Sequence, residues 1–289
     1  MVTASTGCLP GRSKALAMSL KETKQLLRTY RITPNKLLGQ NFMVEPTLYV
    51  KLCTYASLGP SDVVLDAGAG FGFLSLFLAD KCKAVVGVEK EPQVAEVLRE
   101  QVKGTGNVTV IEGDVLKVAL PEFNKVIAIP PYYLSSRLIM WLFERRIDCA
   151  VLILQKEFAG RLVAAVGSED YGWLTVMTYQ HAEVELLDSV PKVMFYPQPE
   201  VDSVIVRLKH WSQRSFEVKD EMFFKQMVKW LFTQRNKKLG KAIAPVIRSA
   251  LKLSKLDAGK LALALPFHER RVRELSPKDF GALANAIPS

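Results

Sequence analysis

The pattern of apolar and polar positions divides this chain into two regimes. Residues 19–37 place apolar side chains at helical spacing (Leu20, Leu26, Leu27, Tyr30) among basic ones, and Thr33-Pro34 ends that helix. A short loop-like run follows, Leu37-Leu38-Gly39-Gln40-Asn41-Phe42, and residues 45–57 read as a second helix that stops at Gly59-Pro60. The rhythm then changes. Apolar runs at Val63–Leu65, Ala84–Val88, Val108–Ile111, Lys125–Ala128 and Cys149–Leu154 read as strands, with helices at Phe73–Asp80, 91–103 and Ser135–Arg145 between them. Strands alternating with helices over short connections predict a parallel sheet covered on both faces. Residues 172–183 and 201–209 read as two further strands, separated by the proline-rich turn Pro191–Pro199. From about residue 215 the pattern is helical to the end. The expected organisation is an extension with a basic helix over 1–35, an α/β domain over 36–212 and a smaller helical domain over 213–289.

Composition changes this picture little. Of the 289 residues 49% are apolar and 24% charged, the profile of a globular protein. No apolar stretch reaches the roughly 18 residues that span a bilayer, and no signal-peptide core stands near the start. Residues 1–20 carry Arg12 and Lys14 with several Ser and Thr and no acid. An organelle transit sequence has that composition, but amphipathic spacing is lacking, which favours an extension or an upstream start with Met18 as the working one. The four cysteines are scattered without a C-x-x-C pair and there are only three histidines. Neither a metal site nor a disulfide framework is expected, and the cytoplasm is the expected compartment.

Charge becomes informative once mapped. Residues 201–289 hold 18 Lys and Arg against 8 Asp and Glu, and residues 1–42 hold 7 against 1, while 43–200 hold 14 against 20. A slightly acidic body between basic flanks is the layout of a polyanion binder that makes its contacts at the flanks.

The strongest local signal is Asp66-Ala67-Gly68-Ala69-Gly70-Phe71-Gly72, directly after the first strand. Glycines at alternate positions let backbone approach a ligand where a Cβ would intrude. A dinucleotide fingerprint, G-x-G-x-x-G, would want glycine at Phe73. The observed G-x-G-x-G after an acid suits S-adenosylmethionine, which has no pyrophosphate to seat at a helix N-terminus. Glu89 ends the second strand, where its carboxylate can accept both ribose hydroxyls. Asp114, after the third strand, can accept from an adenine amino group. All three features fall at carboxyl ends of parallel strands, where such folds bind ligands.

After the fourth strand comes Ile129-Pro130-Pro131-Tyr132-Tyr133. The N6 amine of adenine is a poor nucleophile because its lone pair is delocalised into the ring. Acceptors that grip its N–H groups make it more tetrahedral, so no strong base is required. A rigid proline turn can aim a carbonyl at the amine while Tyr132 stacks on an extracted base.

These motifs, in this order, resemble the KsgA/Dim1 small-subunit rRNA adenine dimethyltransferases. The similarity extends through Gln155–Arg161, Tyr171–Val176, Phe195–Ser203, Phe232–Leu239 and Arg273–Phe280, and covers roughly residues 36–286. Its compact spacing is closer to archaeal and bacterial members than to mitochondrial ones. The resemblance implies a Rossmann-like S-adenosylmethionine-dependent methyltransferase domain followed by a helical rRNA-recognition domain. It implies S-adenosylmethionine as methyl donor and dimethylation at N6 of two adjacent adenines near the 3′ end of small-subunit rRNA. A role in assembly of the pre-small ribosomal subunit, and a monomeric state, come with it. By position, Gln40, Asn41 and Met43 would border the cofactor. Gly68, Gly70, Glu89, Asp114 and Ile129 would complete its site. Ile129, Pro130, Pro131 and Tyr132 would form the catalytic turn, with Phe195 closing over the target base. Arg235, Lys237 and Lys238 would meet rRNA phosphates.

One position departs. The family carries Asn, or sometimes Asp or Ser, where this chain has Ile129, so a side-chain acceptor for the N6 amine is missing. The Pro130 carbonyl can still accept one N–H. Two expectations follow: a slowed methyltransferase, or a cofactor-binding assembly factor that has lost catalysis. A nicotinamide dehydrogenase is excluded by the loop spacing. The long basic tail argues against a large-subunit rRNA methylase of the resistance type.

Overall fold

The computed structural model describes residues 19–35, 39–211 and 214–288. They fall into two compact units, one formed by residues up to 156 together with 185–209, the other by 157–184 together with 210 onward.

The first unit is built on strands too apolar to have a wet face. In β2 (Val63–Ala67), β3 (Ala84–Glu89), β5 (Lys125–Ala128) and β6 (Cys149–Gln155) nearly every residue is buried, so both faces must be covered. With β4 (Val108–Glu112), β7 (Ala182–Val190) and β9 (Ser203–His210) they make a seven-stranded sheet in the order β4-β3-β2-β5-β6-β9-β7. Pairings from β4 through β6 are parallel, whereas β9 runs antiparallel to β6. Connecting helices include α3 (Phe73–Ala79), α4 (Pro92–Gln101) and α5 (Ser135–Leu142), after the N-terminal α1 (Leu20–Thr29) and α2 (Thr47–Tyr55). The chain winds outward from β2 in both directions, which opens a crevice at the carboxyl ends of β2, β3 and β5. A small ladder, β1 (Phe42–Met43) against β8 (Phe195–Tyr196), ties the N-terminal segment to a later loop.

At the opposite end of the sheet, the Lys125 ammonium lies 2.8 Å from Asp62 and donates to the Ser57 carbonyl at 2.7 Å. Asn124 bridges Asp62 and Asp148 through its amide. Burial alone would raise the Asp62 carboxyl, but hydrogen bonds from Lys125, Asn124 and the Gly59 amide outweigh it and hold it below the usual range.

The second unit is helical: α6 (Lys156–Leu162), α7 (Trp173–His181), α8 (Glu221–Phe232), α9 (Leu239–Leu251), α10 (Lys255–Ala264) and α11 (Pro277–Ala286). Phe224, Met227, Val228 and Leu231 of α8 and Ile243 and Ile247 of α9 form its core with Phe280 and Leu283. Tyr171 is buried there and donates its hydroxyl to the Leu275 carbonyl at 2.7 Å. Asp220, Ser254 and Ser276 cap α8, α10 and α11 by accepting from the amide three residues on.

Two sequence expectations are corrected. Residues 172–183 form mainly a helix, α7, and the strand begins only at Ala182. Trp, Thr, Val and Tyr favour strands, but Leu174 through Thr178 are buried without a break, and an apolar run carries no period that separates helix from strand. The expected boundary at residue 213 also does not describe the packing, because residues 157–184 group with the C-terminal helices through α7.

Candidate active site

The glycine loop leaves β2 with left-handed backbone at Gly68 (φ +80°), Gly70 (φ +56°) and Gly72 (φ +83°). A Cβ on Gly68 would also stand 2.6 Å from Pro131 Cδ. Glycine is therefore required twice at this position, for its dihedral and for the approach of the proline turn. Gly39 (φ +59°) closes over the same turn from the other side, where a Cβ would lie 3.1 Å from the Tyr132 nitrogen.

Glu89 is 8% exposed at the end of β3. Its Oε2 accepts from the Gly70 amide at 2.9 Å, and its Oε1 from the Lys90 and Glu91 amides at 2.8 and 3.0 Å. Burial pushes its carboxyl up, against the downward pull of those donors. A carboxylate has about four acceptor positions, so three are already engaged, and holding both hydroxyls of a ribose requires Glu89 to share or release one. Asp114 accepts from the Leu116 amide at 3.0 Å and faces the Arg137 guanidinium at 3.7 Å.

Below the loop, Asp66 is 1% exposed and accepts from the Ser75 hydroxyl at 2.7 Å. Burial drives its carboxyl from the usual 3.8 to about 7, with Ser75 pulling it down and Glu89 adding to the rise.

One cavity gathers Gln40, Asn41, Gly68, Gly70, Glu89, Asp114, Ile129, Pro130, Pro131, Tyr132 and Phe195. Met43 lines the adjoining cavity with Asn41 and Asp66. Phe195 lines the cavity but is only 2% exposed. Ile129 packs against the apolar core, with no polar atom on its side chain.

Two further residues of the cavity were not singled out in the sequence. Lys90 and Tyr133 line its mouth, the ammonium 5.9 Å from the ring centre, and Tyr133 is 42% exposed. The signal was adjacency alone, since each follows a selected residue. Arg235, Lys237 and Lys238 lie together between α8 and α9, but not equally free. Arg235 donates to the Ser168 and Glu169 carbonyls at 2.8 and 2.7 Å, and Lys238 pairs with Glu269. Among the described residues no cluster of three His, Cys, Asp or Glu suits a metal, and no helix is long and apolar enough to cross a membrane.

The profile of the ribosomal RNA adenine dimethylase family matches residues 32–261. This chain belongs to the ribosomal RNA adenine dimethylase family. A Methanosarcina barkeri protein named "probable ribosomal RNA small subunit methyltransferase A" is 37% identical over 264 residues, 91% of each chain. The ribosomal RNA small subunit methyltransferase A of Halothermothrix orenii is 34% identical, covering 92% of both. Among solved structures, a dimethyladenosine transferase of Plasmodium falciparum superposes with a TM-score of 0.71 at 27% identity, over 84% of this chain and 95% of that one. The 23S rRNA methyltransferase ErmE superposes with a TM-score of 0.61 at 26% identity, over 86% and 99%. The cavity lies at the carboxyl ends of β2, β3 and β5, where open α/β sheets bind their ligands. The proline turn after β5 forms one of its walls.

Proposed function

We propose that this chain dimethylates N6 of two adjacent adenines near the 3′ end of small-subunit rRNA, using S-adenosylmethionine. The observation that carries the reading is one cavity holding the glycine loop, the Glu89 carboxylate and the Pro131-Tyr132 turn. The donor set fits the cofactor: a loop without Cβ atoms for its methionine part, buried Glu89 for the ribose, and Asp114 for the adenine amine. Gln40, Asn41 and Met43 border the methionine end. When bound, the sulfonium supplies an electrophilic methyl group.

The chain's own residues do the rest. Tyr132 stacks on the extracted adenine, its hydroxyl anchored, and Phe195 limits the space beside it. The Pro130 carbonyl accepts one N6–H and holds the amine's lone pair free for attack. Rigid prolines keep that carbonyl aimed, and the surrounding apolar wall, Ile129 included, excludes water. The rRNA address falls to the basic helical unit, with Lys237 as an exposed phosphate contact. In this reading the chain acts as a monomer on the pre-small subunit in the cytoplasm.

Ile129 favours a second reading, a cofactor-binding assembly factor without catalysis. Transfer of labelled methyl groups to small subunits lacking the modification separates the two. Losing one amine acceptor costs about 1–3 kcal/mol, on the order of 5- to 150-fold in rate. Incorporation mapped to the paired adenines, faster with Ile129→Asn, supports the enzyme. Measurable cofactor and subunit binding without incorporation makes the chain an assembly factor.

A further inference from the structure

Helix α8 has two unlike faces. Phe224, Met227, Val228 and Leu231 are fully buried, while Met222, Gln226, Lys229, Trp230 and Thr233 are exposed along the opposite side. Of the four tryptophans only Trp230 is classed as exposed, with 45% of its surface open. An indole left in water forgoes the stabilisation its large apolar surface would gain by burial. It is nonetheless held: its Nε1–H donates to the carbonyl of Ala242, a buried residue of α9, at 3.3 Å. The ring is thus fixed in orientation at the junction of α8 and α9 without being covered.

Its surroundings are of one sign. From Met222 to Arg248 the chain carries seven Lys and Arg and no Asp or Glu. Exposed Lys229 and Lys241 immediately precede Trp230 and its anchor Ala242, and the Lys229 ammonium lies 4.8 Å from the centre of the Trp173 ring. A fixed, open aromatic among lysines is what an unpaired nucleotide requires: the base stacks, and the ammonium groups meet its phosphates. A basic protein partner would be repelled by the same stretch.

We infer that Trp230 is a stacking platform for an unpaired base of small-subunit rRNA, flanked by Lys229 and Lys241 as phosphate contacts. This rests on the RNA-methyltransferase reading above and shifts the RNA-binding face toward the α8–α9 junction, since two carbonyls take Arg235 donors and Glu269 neutralises Lys238, whereas the Trp173 ring leaves the charge of Lys229 uncancelled.

Stacking and phosphate contact respond differently to salt, which makes the inference testable in the full chain. The probe is a naked fragment of small-subunit rRNA containing its 3′ end, titrated across a salt series beside whole immature subunits. Trp230→Ala should weaken fragment binding roughly ten-fold with the slope of log affinity against log salt unchanged. Trp230→Phe, which keeps a ring and loses the Nε1–H bond, should retain most of the affinity. Lys229→Ala with Lys241→Ala should flatten the slope by about two phosphate contacts. Thermal melting of each variant separates loss of fold from loss of contact.

Unchanged fragment affinity in Trp230→Ala overturns the inference, and so does an equal loss in Trp230→Phe. Weakened binding to whole subunits with normal binding to the fragment assigns the face to a protein and overturns it as well. Methyl transfer is measured on the same samples. Wild type that binds through Trp230 but transfers nothing leaves this inference standing and removes the catalytic reading. Active wild type with an indifferent Trp230→Ala does the reverse.

Discussion

The phenolic oxygen of Tyr132 lies 2.8 Å from the hydroxyl of Ser203, which is 71 residues away in the chain. Ser203 is fully buried and opens β9 opposite Gln155, so its own position is fixed by the sheet. Tyr132, the residue proposed to stack on the target base, is in this way referenced to the rigid core rather than to its own loop. One residue before β9, the same connection is pinned where Asp202 accepts from the Lys192 amide at 2.9 Å.

Removing that reference should reduce turnover without disturbing the cofactor. Ser203→Ala is expected to lower kcat about five-fold, the worth of one hydrogen bond of about 1 kcal/mol, with KM for S-adenosylmethionine unchanged. Ser203→Thr keeps a hydroxyl and should restore part of the rate. Combined with Tyr132→Phe the losses should not add, because both variants break one contact. Additive losses would mean that Ser203 acts by another route.

Asp66 gives a pH dependence of stability with an unusual sign. Its carboxyl titrates near 7 in the folded chain against 3.8 when unperturbed. Between those values the folded state retains a proton the unfolded chain has released, so this group's contribution is full below 3.8 and lost as pH rises through about 7. Asn cannot titrate. Denaturant unfolding should therefore show Asp66→Asn gaining on wild type between pH 5 and pH 8, and parallel curves would contradict the assignment.

The Lys125–Asp62 pair is a structural prediction. Both side chains are 10% exposed. Lys125→Met leaves Asp62 without its ammonium and should cost about 3 kcal/mol, read as a lowered denaturation midpoint. Adding Asp62→Asn should recover part of the loss, since the unpaired charge is then gone.

Arg235 and Lys237 should separate on the same assay. Arg235→Ala removes two hydrogen bonds to the 168–169 turn and should lower thermal stability, whereas Lys237→Ala should leave melting unchanged and flatten the salt dependence of rRNA binding. A stable Arg235→Ala with a flattened slope would make Arg235 a phosphate contact after all.

Much of the α/β unit was legible before any coordinate. The runs around Val63, Ala84, Lys125 and Cys149 read as strands because they are short, rich in Val and Ile and alternate with helical segments, and their lack of a polar side predicts burial on both faces. The glycine loop and Glu89 were legible for a related reason: close backbone approach and a carboxylate at a strand end leave residue-type signatures that survive without tertiary context. Residues 172–183 were not, because an element buried all round loses the periodicity that distinguishes helix from strand.

What the sequence by itself determined, then, is the set of groups available: the glycines, Glu89, Asp114, the proline turn, the apolar Ile129 before it, and the concentration of positive charge in the last third. Tertiary structure alone decided how those groups are committed. Three backbone amides occupy Glu89, Ser203 holds Tyr132, two distant carbonyls take Arg235, and Trp230 is left open while fixed to Ala242. The reason is physical: hydrogen-bond commitment and burial depend on partners many positions away, and a linear pattern records residue types, not which of them meet.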